Sequence, residues 1–422
     1  MNVNYLKRIS DAKLELLLRA MGAVLIEGPK WCGKTSSAEE IAGSVLYMQD
    51  PDSAKANKLT AQTKPSLLLE GATPRLLDEW QVAPELWNAV RFAVDKRREK
   101  GQFILTGSVI PTRTNDMHTG TGRIARMRMR TMSLYETGDS TGEISLETLF
   151  DGNDDMEGKS NLSIEKLAFV INRGGWPIVA RETDEKIALT VAADYVEAVA
   201  NEDISKADNV EKNPDRVKAL LRSISRNISN EARISTILND LTANDEALSQ
   251  ATVDQYIAAL KKIFVIEDLP AWSAKLRSKT AIRTTAKRHF SDPSIATASL
   301  RATPKRLLAD FNTFGILFES LCIRDLRIYA ESIDGSVYHY RDKSGLEIDA
   351  IIQLADGRWG AAEVKMGAGE IEDAAENLLK FRRIVDTEKM NEPSFLMVLT
   401  GTEYAFKMKN GVWVVPLGCL KN

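Results

Sequence analysis

A glycine-containing segment, GPKWCGKT at 28–35, directly follows the short strand-like run 23–27, which is apolar up to residue 26. Its spacing is G-x-x-x-x-G-K-T, in which the glycines let the backbone wrap a phosphate with its N–H groups pointing inward. Lys34 can then reach the β- and γ-phosphates, and the hydroxyl of Thr35 is placed to ligate Mg²⁺. A strand before the motif and a helix after it, which the motif requires, are both predicted. We therefore expect an ATP site whose contacts are Gly28, Pro29, Lys30, Trp31, Cys32, Gly33, Lys34, Thr35 and Ser36.

Two further predicted strands end in polar side chains. The stretch LLDEW carries Asp78, which can hold the magnesium hydration shell, and Glu79, which can polarise the attacking water. Acids at strand ends are often only solvated, but the order of these two and their distance from the phosphate loop favour hydrolysis. The stretch ILTGS carries Thr106 and Ser108 at the same predicted sheet edge. Either residue senses the γ-phosphate, or both simply cap the strand.

An arginine-rich stretch, GRIARMRMR at 122–130, follows these strands. Such a cluster can supply an arginine finger across a subunit boundary of a homo-oligomer. Arg126, Arg128 and Arg130 alternate with methionines, which is typical of a strand with one solvated face. Arg123 is therefore the better candidate for the finger, and a solvated strand face is the alternative for the whole cluster.

The last third of the chain contains a second group of residues that could do chemistry. Asp349 lies on one predicted strand, and Glu363 and Lys365 lie two positions apart on the next, so that both face the same side. With Glu319 from an upstream helix, these acids could bind one or two Mg²⁺ while Lys365 stabilises charge or orients water. A salt-bridged relic of such a site is the alternative.

Cations are concentrated between 275 and 306, where Asp292 is the only acid. The segment is either a phosphate-contacting surface or a solvated face. Predicted helices at 217–238 and 251–263, followed by the strand-like VIEDLPAW, could form a helix-turn-helix with a wing near this segment. DNA is thus one candidate partner.

The elements that must position these residues indicate an α/β protein with a helical middle. Strands at 23–27, 75–79 and 102–106 alternate with helices at 34–42 and 85–100, which indicates a parallel sheet. The chain then turns mostly helical, and strand-like runs return in the last third. We expect an ATPase domain, a polar linker and two further domains, with bounds of 1–150, 151–161, 163–300 and 301–422.

Composition restricts the remaining possibilities. A chain of 422 residues is expected to form two or three domains. Its net charge of −3 gives no argument for nucleic-acid binding from the whole chain. Three widely spaced cysteines, Cys32, Cys322 and Cys419, are expected to be free thiols. Because no stretch approaches the roughly 20 apolar residues of a membrane span and no secretory signal is evident, we expect a cytoplasmic protein without membrane contact.

Taken together, these motifs resemble the prokaryotic AAA+-type P-loop ATPases that carry a C-terminal domain of unknown function. The resemblance covers nearly the whole chain. It is carried by GPKWCGKT, LLDEWQVAPELW, FILTGS, GRIARMRMRTMSLYE, RGGWP, VDQYIAALKKIFVIEDLPAW, YRDKSGLEIDAII and AAEVK.

The resemblance implies an AAA+-like ATPase domain, a winged-helix middle region and a C-terminal fold similar to the PD-(D/E)xK nucleases. Carried over by position, it implies nucleotide and Mg²⁺ contacts at Lys34 and Thr35 and an acidic pair at Asp78 and Glu79. The residues of the nuclease-like set would be Glu319, Asp349, Glu363 and Lys365. We expect ATP hydrolysis coupled to a DNA-binding or nuclease-like module. The alternative is an ATP-regulated module that binds nucleic acid or protein and carries an inactive nuclease-like domain.

Overall fold

The computed structural model describes most of the chain and divides it into two compact units. The described residues are 5–110, 119–153, 155–208, 210–242, 248–273, 285–385 and 390–422. The first unit comprises Met1–Thr131, Glu202–Lys212 and Ala258–Val265. The second unit comprises Met132–Asn201, Asn213–Ile257 and Ile266–Asn422. The division into three domains stays a prediction.

A five-stranded parallel sheet organises the first unit, with the strand order β2-β3-β4-β1-β5. Its strands are β1 (Ala23–Glu27), β2 (Ser44–Tyr47), β3 (Arg75–Asp78), β4 (Phe103–Gly107) and β5 (Ile124–Arg128). β1 lies between β4 and β5 and is apolar at every position but its last, as a strand covered on both faces should be. All five strands run in one direction, so their carboxyl ends share one edge of the sheet.

Helices cover both faces of this sheet. Their bounds are Ser10–Ala20, Lys34–Glu39, Ala54–Thr63 and Glu85–Arg97. Leu25 and Leu105 pack in one core with Trp80 and Trp87 of the segment after β3. Val24, Ile26 and Ile104 pack in a second core with Leu14 and Leu18 of the first helix. Because neighbouring residues of a strand point to opposite faces, one apolar run fills both cores.

The middle of the chain is mostly helical. The second unit contains the helices Leu134–Thr137, Leu146–Phe150, Ile164–Arg173, Glu185–Ala198, Pro214–Arg226, Ile234–Thr242, Pro293–Leu300, Pro304–Ala309 and Phe311–Ser332. A further helix, Gln250–Lys262, leads through the turn at Phe264 into β8. β8 (Ile266–Leu269) and β9 (Lys287–Phe290) form an antiparallel pair, and β6 (Ile144–Ser145) pairs with β16 (Leu420–Lys421). The helical middle region predicted from the sequence is confirmed.

A seven-stranded sheet closes the second unit, with the order β10-β11-β12-β13-β15-β14-β7. Its strands are β7 (Gly158–Lys159), β10 (Gly335–Arg341), β11 (Glu347–Leu354), β12 (Trp359–Lys365), β13 (Phe395–Thr400), β14 (Tyr404–Lys407) and β15 (Trp413–Pro416). β10, β11 and β12 are antiparallel neighbours, whereas β12, β13 and β15 are parallel. The helix Ile371–Ile384 packs on this sheet through Leu378 and Phe381. The expected α/β fold with a C-terminal sheet is confirmed, although β7 comes from the predicted linker.

Buried charges connect distant segments of the second unit. The guanidinium of Arg324 contacts Asp292 at 3.0 Å and Asp325 at 2.7 Å, and all three side chains are at most 3% exposed. Asp292 also accepts a hydrogen bond from the backbone N–H of Gly175, and Asp325 accepts one from that of Leu134. The pairs therefore join the long helix Phe311–Ser332 to three other parts of the chain. Cys322 of that helix is buried and free, as Cys32 and Cys419 are, which confirms the prediction for the thiols.

We expect the Asp292→Ala substitution to destabilise the second unit by about 3–5 kcal/mol, because it leaves the buried guanidinium of Arg324 short of one counter-charge. Urea unfolding followed by circular dichroism measures this effect. The matched control is Glu376→Ala, since Glu376 forms an exposed pair with Lys380 and its loss should cost less than about 0.5 kcal/mol. Equal unfolding midpoints for the two variants would contradict the role of the buried pair.

Candidate nucleotide-binding site

The phosphate loop connects β1 to the helix Lys34–Glu39. Backbone conformation and packing explain why glycine occupies two of its positions. Gly33 has a φ of 100°, a left-handed conformation that glycine adopts without cost. A Cβ atom at Gly28 would lie 2.1 Å from the carbonyl oxygen of Met129, so only glycine fits this position. The thiol of Cys32 also points to that carbonyl oxygen, at 3.6 Å. The loop thus packs closely against the segment that follows β5.

The ammonium group of Lys34 is held inside the loop. It donates hydrogen bonds to the carbonyl oxygens of Gly28 at 3.0 Å and Pro29 at 2.8 Å, and the residue is only 5% exposed. Both acceptors are neutral, and no carboxylate among the described residues contacts this ammonium group. The side chain of Trp31 lies 44% exposed, and Ser36 lies in the first turn of the helix. A phosphate group is the kind of partner that such a lysine lacks.

Thr35 and Asp78 come into direct contact at the carboxyl edge of the sheet. The hydroxyl of Thr35 donates a hydrogen bond of 2.6 Å to Oδ1 of Asp78. Thr106, at the end of β4, donates to the same oxygen at 2.7 Å. A hydroxyl and a carboxylate are hard oxygen ligands of the kind that Mg²⁺ prefers. Thr35 and Asp78, both predicted to bind Mg²⁺, therefore fit this ion chemically.

Glu79 lies beside this pair, and Ser108 is one of its partners. The Ser108 hydroxyl donates to Oε2 of Glu79 at 3.2 Å, and the side-chain amide of Gln81 donates to the same oxygen. The backbone N–H of Glu79 donates to Oγ1 of Thr106 at 3.1 Å. Glu79 itself has a φ of 54°, a left-handed conformation that is uncommon outside glycine and often found at functional sites. Both polar residues at the end of β4 thus contact the acidic pair.

Arg123 lies at the opposite edge of the sheet from the phosphate loop. Its carbonyl oxygen accepts from the N–H of Ala23, the first residue of β1, and its side chain pairs with Asp95 at 2.8 Å. The length of β1 separates the two edges by roughly 16 Å. Within its own subunit Arg123 is therefore remote from the site, and its action on a neighbouring subunit stays a prediction. Arg126 pairs with Glu27 at 2.5 Å.

Two residues that contact the phosphate loop were not predicted. The buried guanidinium of Arg8 donates to the carbonyl oxygens of Cys32 at 2.7 Å and Arg130 at 2.9 Å. Asp203, which is 8% exposed in its side chain, pairs with Lys30 at 2.5 Å. Neither residue belongs to a motif, and Asp203 is 173 positions away from its partner. No sequence signal could have identified them.

In the second unit, the predicted nuclease-like residues come together around a lysine. Nζ of Lys287 lies 3.2 Å from Glu319, 2.8 Å from Glu347 and 3.5 Å from Asp349. Glu363 adjoins Asp349, and we call these four acids the carboxylate cluster. The structure thus brings Glu319, Asp349 and Glu363 together, whereas Lys287 and Glu347 were missed. The signal for Lys287 was present, since the residue lies in the basic segment, but composition could not indicate which acids it meets.

The remaining contacts of the carboxylate cluster are with protein donors. The Asn377 side chain donates to Glu363 at 2.6 Å, and the N–H of Val364 donates to Asp349 at 2.9 Å. Lys365 approaches Glu363 only to 3.9 Å and is 31% exposed. A backbone N–H and an amide thus orient Asp349 and Glu363 in addition to the contacts made by Lys287.

Burial and mutual repulsion change the protonation of these groups. Burial, followed by the charge of Asp349, raises the pKa of Glu363 to about 9 and that of Glu319 to about 8. Burial lowers the pKa of Lys287, but attraction to Glu319, Asp349 and Glu347 outweighs it, so the net shift is upward. Lys287 therefore stays charged, while the two glutamates tend to hold a proton at neutral pH.

The basic segment at 275–306 is only partly described, since 275–284 lie outside the described residues. Of its described cations, Lys287 is buried in the carboxylate cluster, and the side chain of Arg288 is 12% exposed beside Asp268. Arg301 and Arg306 lie further along, where the Arg306 guanidinium donates to the carbonyl oxygen of Arg301. The first two cations are thus not placed to meet a phosphate backbone.

Two kinds of feature are absent from the described residues, namely a cluster of metal ligands and a membrane-spanning helix. In the ranges given above, no group of three or more His, Cys, Asp or Glu side chains has the geometry to hold a metal ion. None of the described helices combines the length and the apolar character that crossing a bilayer requires.

Three family models match separate parts of the chain. Residues 21–138 match the model described as an AAA domain. Residues 164–306 and 314–420 match two domains of unknown function, DUF8612 and DUF4143. Residues 21–138 contain the phosphate loop, Asp78 and Glu79, so this part of the chain is a P-loop ATPase domain that uses ATP. No curated protein matches the chain.

Solved structures show only distant likenesses. The Walker-type ATPase paby2304 of Pyrococcus abyssi is 15% identical over 71% of this chain and 97% of its own, with a TM-score of 0.42. PCH-2 of C. elegans is 12% identical over 60% and 65%, with a TM-score of 0.19. The Hef helicase domain of Pyrococcus furiosus is 13% identical over 93% and 89%, with a TM-score of 0.21. Likenesses at this level carry no weight for the function of this chain.

We expect Arg8→Ala to weaken ATP binding about tenfold or more, although Arg8 is not itself a predicted nucleotide contact. The substitution removes two charge-assisted hydrogen bonds, one to the phosphate loop at Cys32 and one to Arg130 in the segment against which the loop packs. A loss of about 1.4 kcal/mol corresponds to a factor of ten. Isothermal titration with ATP measures the affinity. Lys7→Ala is the matched control, because Lys7 is the neighbouring cation and is exposed. Equal ATP affinities of the two variants would show that the hydrogen bonds of Arg8 are not needed for nucleotide binding.

Proposed function

We propose that this protein binds ATP together with Mg²⁺ and hydrolyses it at the carboxyl edge of the N-terminal sheet. The observation that carries the proposal is the contact of Thr35 with Asp78 beside the loop that holds Lys34. A phosphate-binding loop, a hydroxyl and a carboxylate are the parts that P-loop ATPases use for a magnesium nucleotide. Here they come from β1 and β3, and β4, which lies between these strands, supplies Thr106.

Each residue of the site has a distinct task in this proposal. Lys34 exchanges its two carbonyl acceptors for oxygens of the β- and γ-phosphates. Thr35 and Asp78 hold the Mg²⁺, which would neutralise charge on the phosphates. Glu79 orients a water molecule toward the γ-phosphorus and accepts a proton as the bond to the leaving ADP breaks. Ser108, which already donates to Glu79, keeps that carboxylate in place.

A neighbouring copy of the chain could complete the site. We propose that Arg123 of one subunit reaches the phosphates of the next in a homo-oligomer. Because Arg123 lies at the edge opposite to its own phosphate loop, any contact with a phosphate would have to be made to the site of a neighbouring subunit. The ion pair with Asp95, in which both side chains are more than a third exposed, would be exchanged at little cost.

We expect Lys34→Ala to abolish ATP binding or turnover, and Glu79→Gln to keep binding while turnover falls roughly 10²- to 10⁴-fold. The difference follows from the roles, since the lysine binds phosphate and the carboxylate acts only in the chemical step. Steady-state phosphate release and ATP titration measure the two quantities. Glu85→Gln, at an exposed glutamate on the following helix, is the control. If Lys34→Ala turned over ATP at the wild-type rate, the assignment of the ATPase site to the phosphate loop would be wrong.

We also propose that the ATP cycle acts on the second unit as a module that contacts nucleic acid or protein. The convergence of Glu319, Asp349 and Glu363 supports a nuclease-like origin for its sheet, and the β8–β9 pair after a helix is compatible with a wing. Two forms of this proposal differ in chemistry. In one form the carboxylate cluster cuts DNA with a metal, and in the other the module binds without cutting.

An incubation of DNA with the protein and either Mg²⁺ or Mn²⁺ distinguishes the two forms of the proposal. Cutting that disappears in the Asp349→Ala, Lys365→Ala double variant is expected of a nuclease, and cutting that persists points to a contaminant. Binding without cutting is expected of the binding module. If phosphates dominate that contact, the affinity should fall steeply as the salt concentration rises. Binding that is independent of salt would count against DNA as the partner.

A further inference from the structure

The carboxylate cluster already contains a cation that belongs to the chain. Lys287 extends from β9 and meets acids of two other elements, namely Glu319 of the long helix and both Glu347 and Asp349 of β11. Its side chain is only 3% exposed. A lysine ammonium has three N–H donors, and three acidic side chains lie around it. The acids that a metal would need are thus already in contact with this ammonium group.

A divalent metal and this ammonium cannot use the same oxygens at once. Magnesium and its relatives bind carboxylate oxygens at about 2.0–2.6 Å, which would bring them close to Nζ of Lys287. Two cations so close together in a partly buried site repel each other strongly. The lysine would have to leave, and its charge would then lose the three acids that offset its burial. With Lys287 in place, the residues do not fit a metal.

Two further oxygens of the carboxylate cluster accept hydrogen bonds from protein donors. Asp349 accepts from the N–H of Val364 with its second oxygen, while the Asn377 amide donates to Glu363. Lys365, the lysine of the predicted motif, does not take part in the same way, since it lies 3.9 Å from Glu363 and is partly exposed. The two lysines near the carboxylate cluster therefore differ sharply in burial and in the number of acids they contact.

We infer that Lys287 is the resident cation of the carboxylate cluster, taking the place of a divalent metal and excluding it from Glu319 and Asp349. The second unit then keeps the acids of a nuclease-like site in position without metal chemistry. This inference rests on the binding-only form of the proposed function and names the residue responsible. It can be tested apart from the ATPase site, because metal binding to the carboxylate cluster is measured without nucleotide.

Mn²⁺ binding to the full-length, nucleotide-free protein tests the inference. Electron paramagnetic resonance measures free Mn²⁺ in wild type, Lys287→Ala, Lys287→Met, Lys365→Ala and Asp349→Asn. We expect no difference between wild type and Asp349→Asn, because the carboxylate cluster holds no metal in either. Lys287→Ala should gain one Mn²⁺ site that wild type lacks, at least tenfold tighter than any Mn²⁺ binding that wild type shows elsewhere. That site should disappear in the Lys287→Ala, Asp349→Asn double variant, and Lys365→Ala should gain none.

A wild-type Mn²⁺ site that Asp349→Asn abolishes would overturn the inference, and this comparison does not depend on the folding of any Lys287 variant. A Lys287 variant that is folded by circular dichroism and gains no site would overturn it as well. If Lys287→Ala melts at a lower temperature, Mn²⁺ should restore the melting temperature, since a ligand of the folded state stabilises it. Failure to bind DNA would remove the proposed partner but leave these metal measurements unaffected.

Discussion

The hydrogen bonds of Asp78 to Thr35 and Thr106 depend on one constraint, namely that three parallel strands end at the same edge of a sheet. Thr35 follows β1, Asp78 ends β3, and Thr106 lies on β4 between them. If one strand shifted by a single residue, its side chains would turn to the other face and the contacts would break. Apolar side chains fill the cores on both faces and so prevent such a shift. Packing in the sheet therefore sets the geometry of the phosphate site.

The sequence predicts those parts of the fold whose signals are local. β1 was predicted with the bounds that the structure has, and β3 and β4 were predicted to within a residue or two, because their apolar runs are unbroken. β2 (Ser44–Tyr47) was missed, since it is a short strand at the sheet edge whose side chains are only partly buried. The phosphate loop was identified by its glycine spacing, and the structure gives the steric reason at Gly28.

Contacts between distant positions are the part that the sequence does not specify. Arg8 and Asp203 reach the phosphate loop from segments without any motif, and Lys287 reaches Glu319 and Asp349 through the pairing of β8 with β9. In each case a charged residue that a reader of the sequence assigns to the solvated surface is held by hydrogen-bond or ion-pair partners from distant positions. Charge patterns predict solvation because most charged residues are exposed, and buried pairs are the exceptions.

Two buried lysines show how the same side chain is used differently in the two units. Lys34 is held by neutral carbonyl oxygens, which a phosphate can replace with a gain in attraction, because its charge has no counter-ion among the described contacts. Lys287 is held by three acidic side chains, so a phosphate group would have to displace acids that already contact it. Lys34 can therefore bind an anionic ligand, whereas Lys287 already has acidic partners within the protein. The acceptors around a buried lysine thus distinguish a binding site from a closed ion cluster.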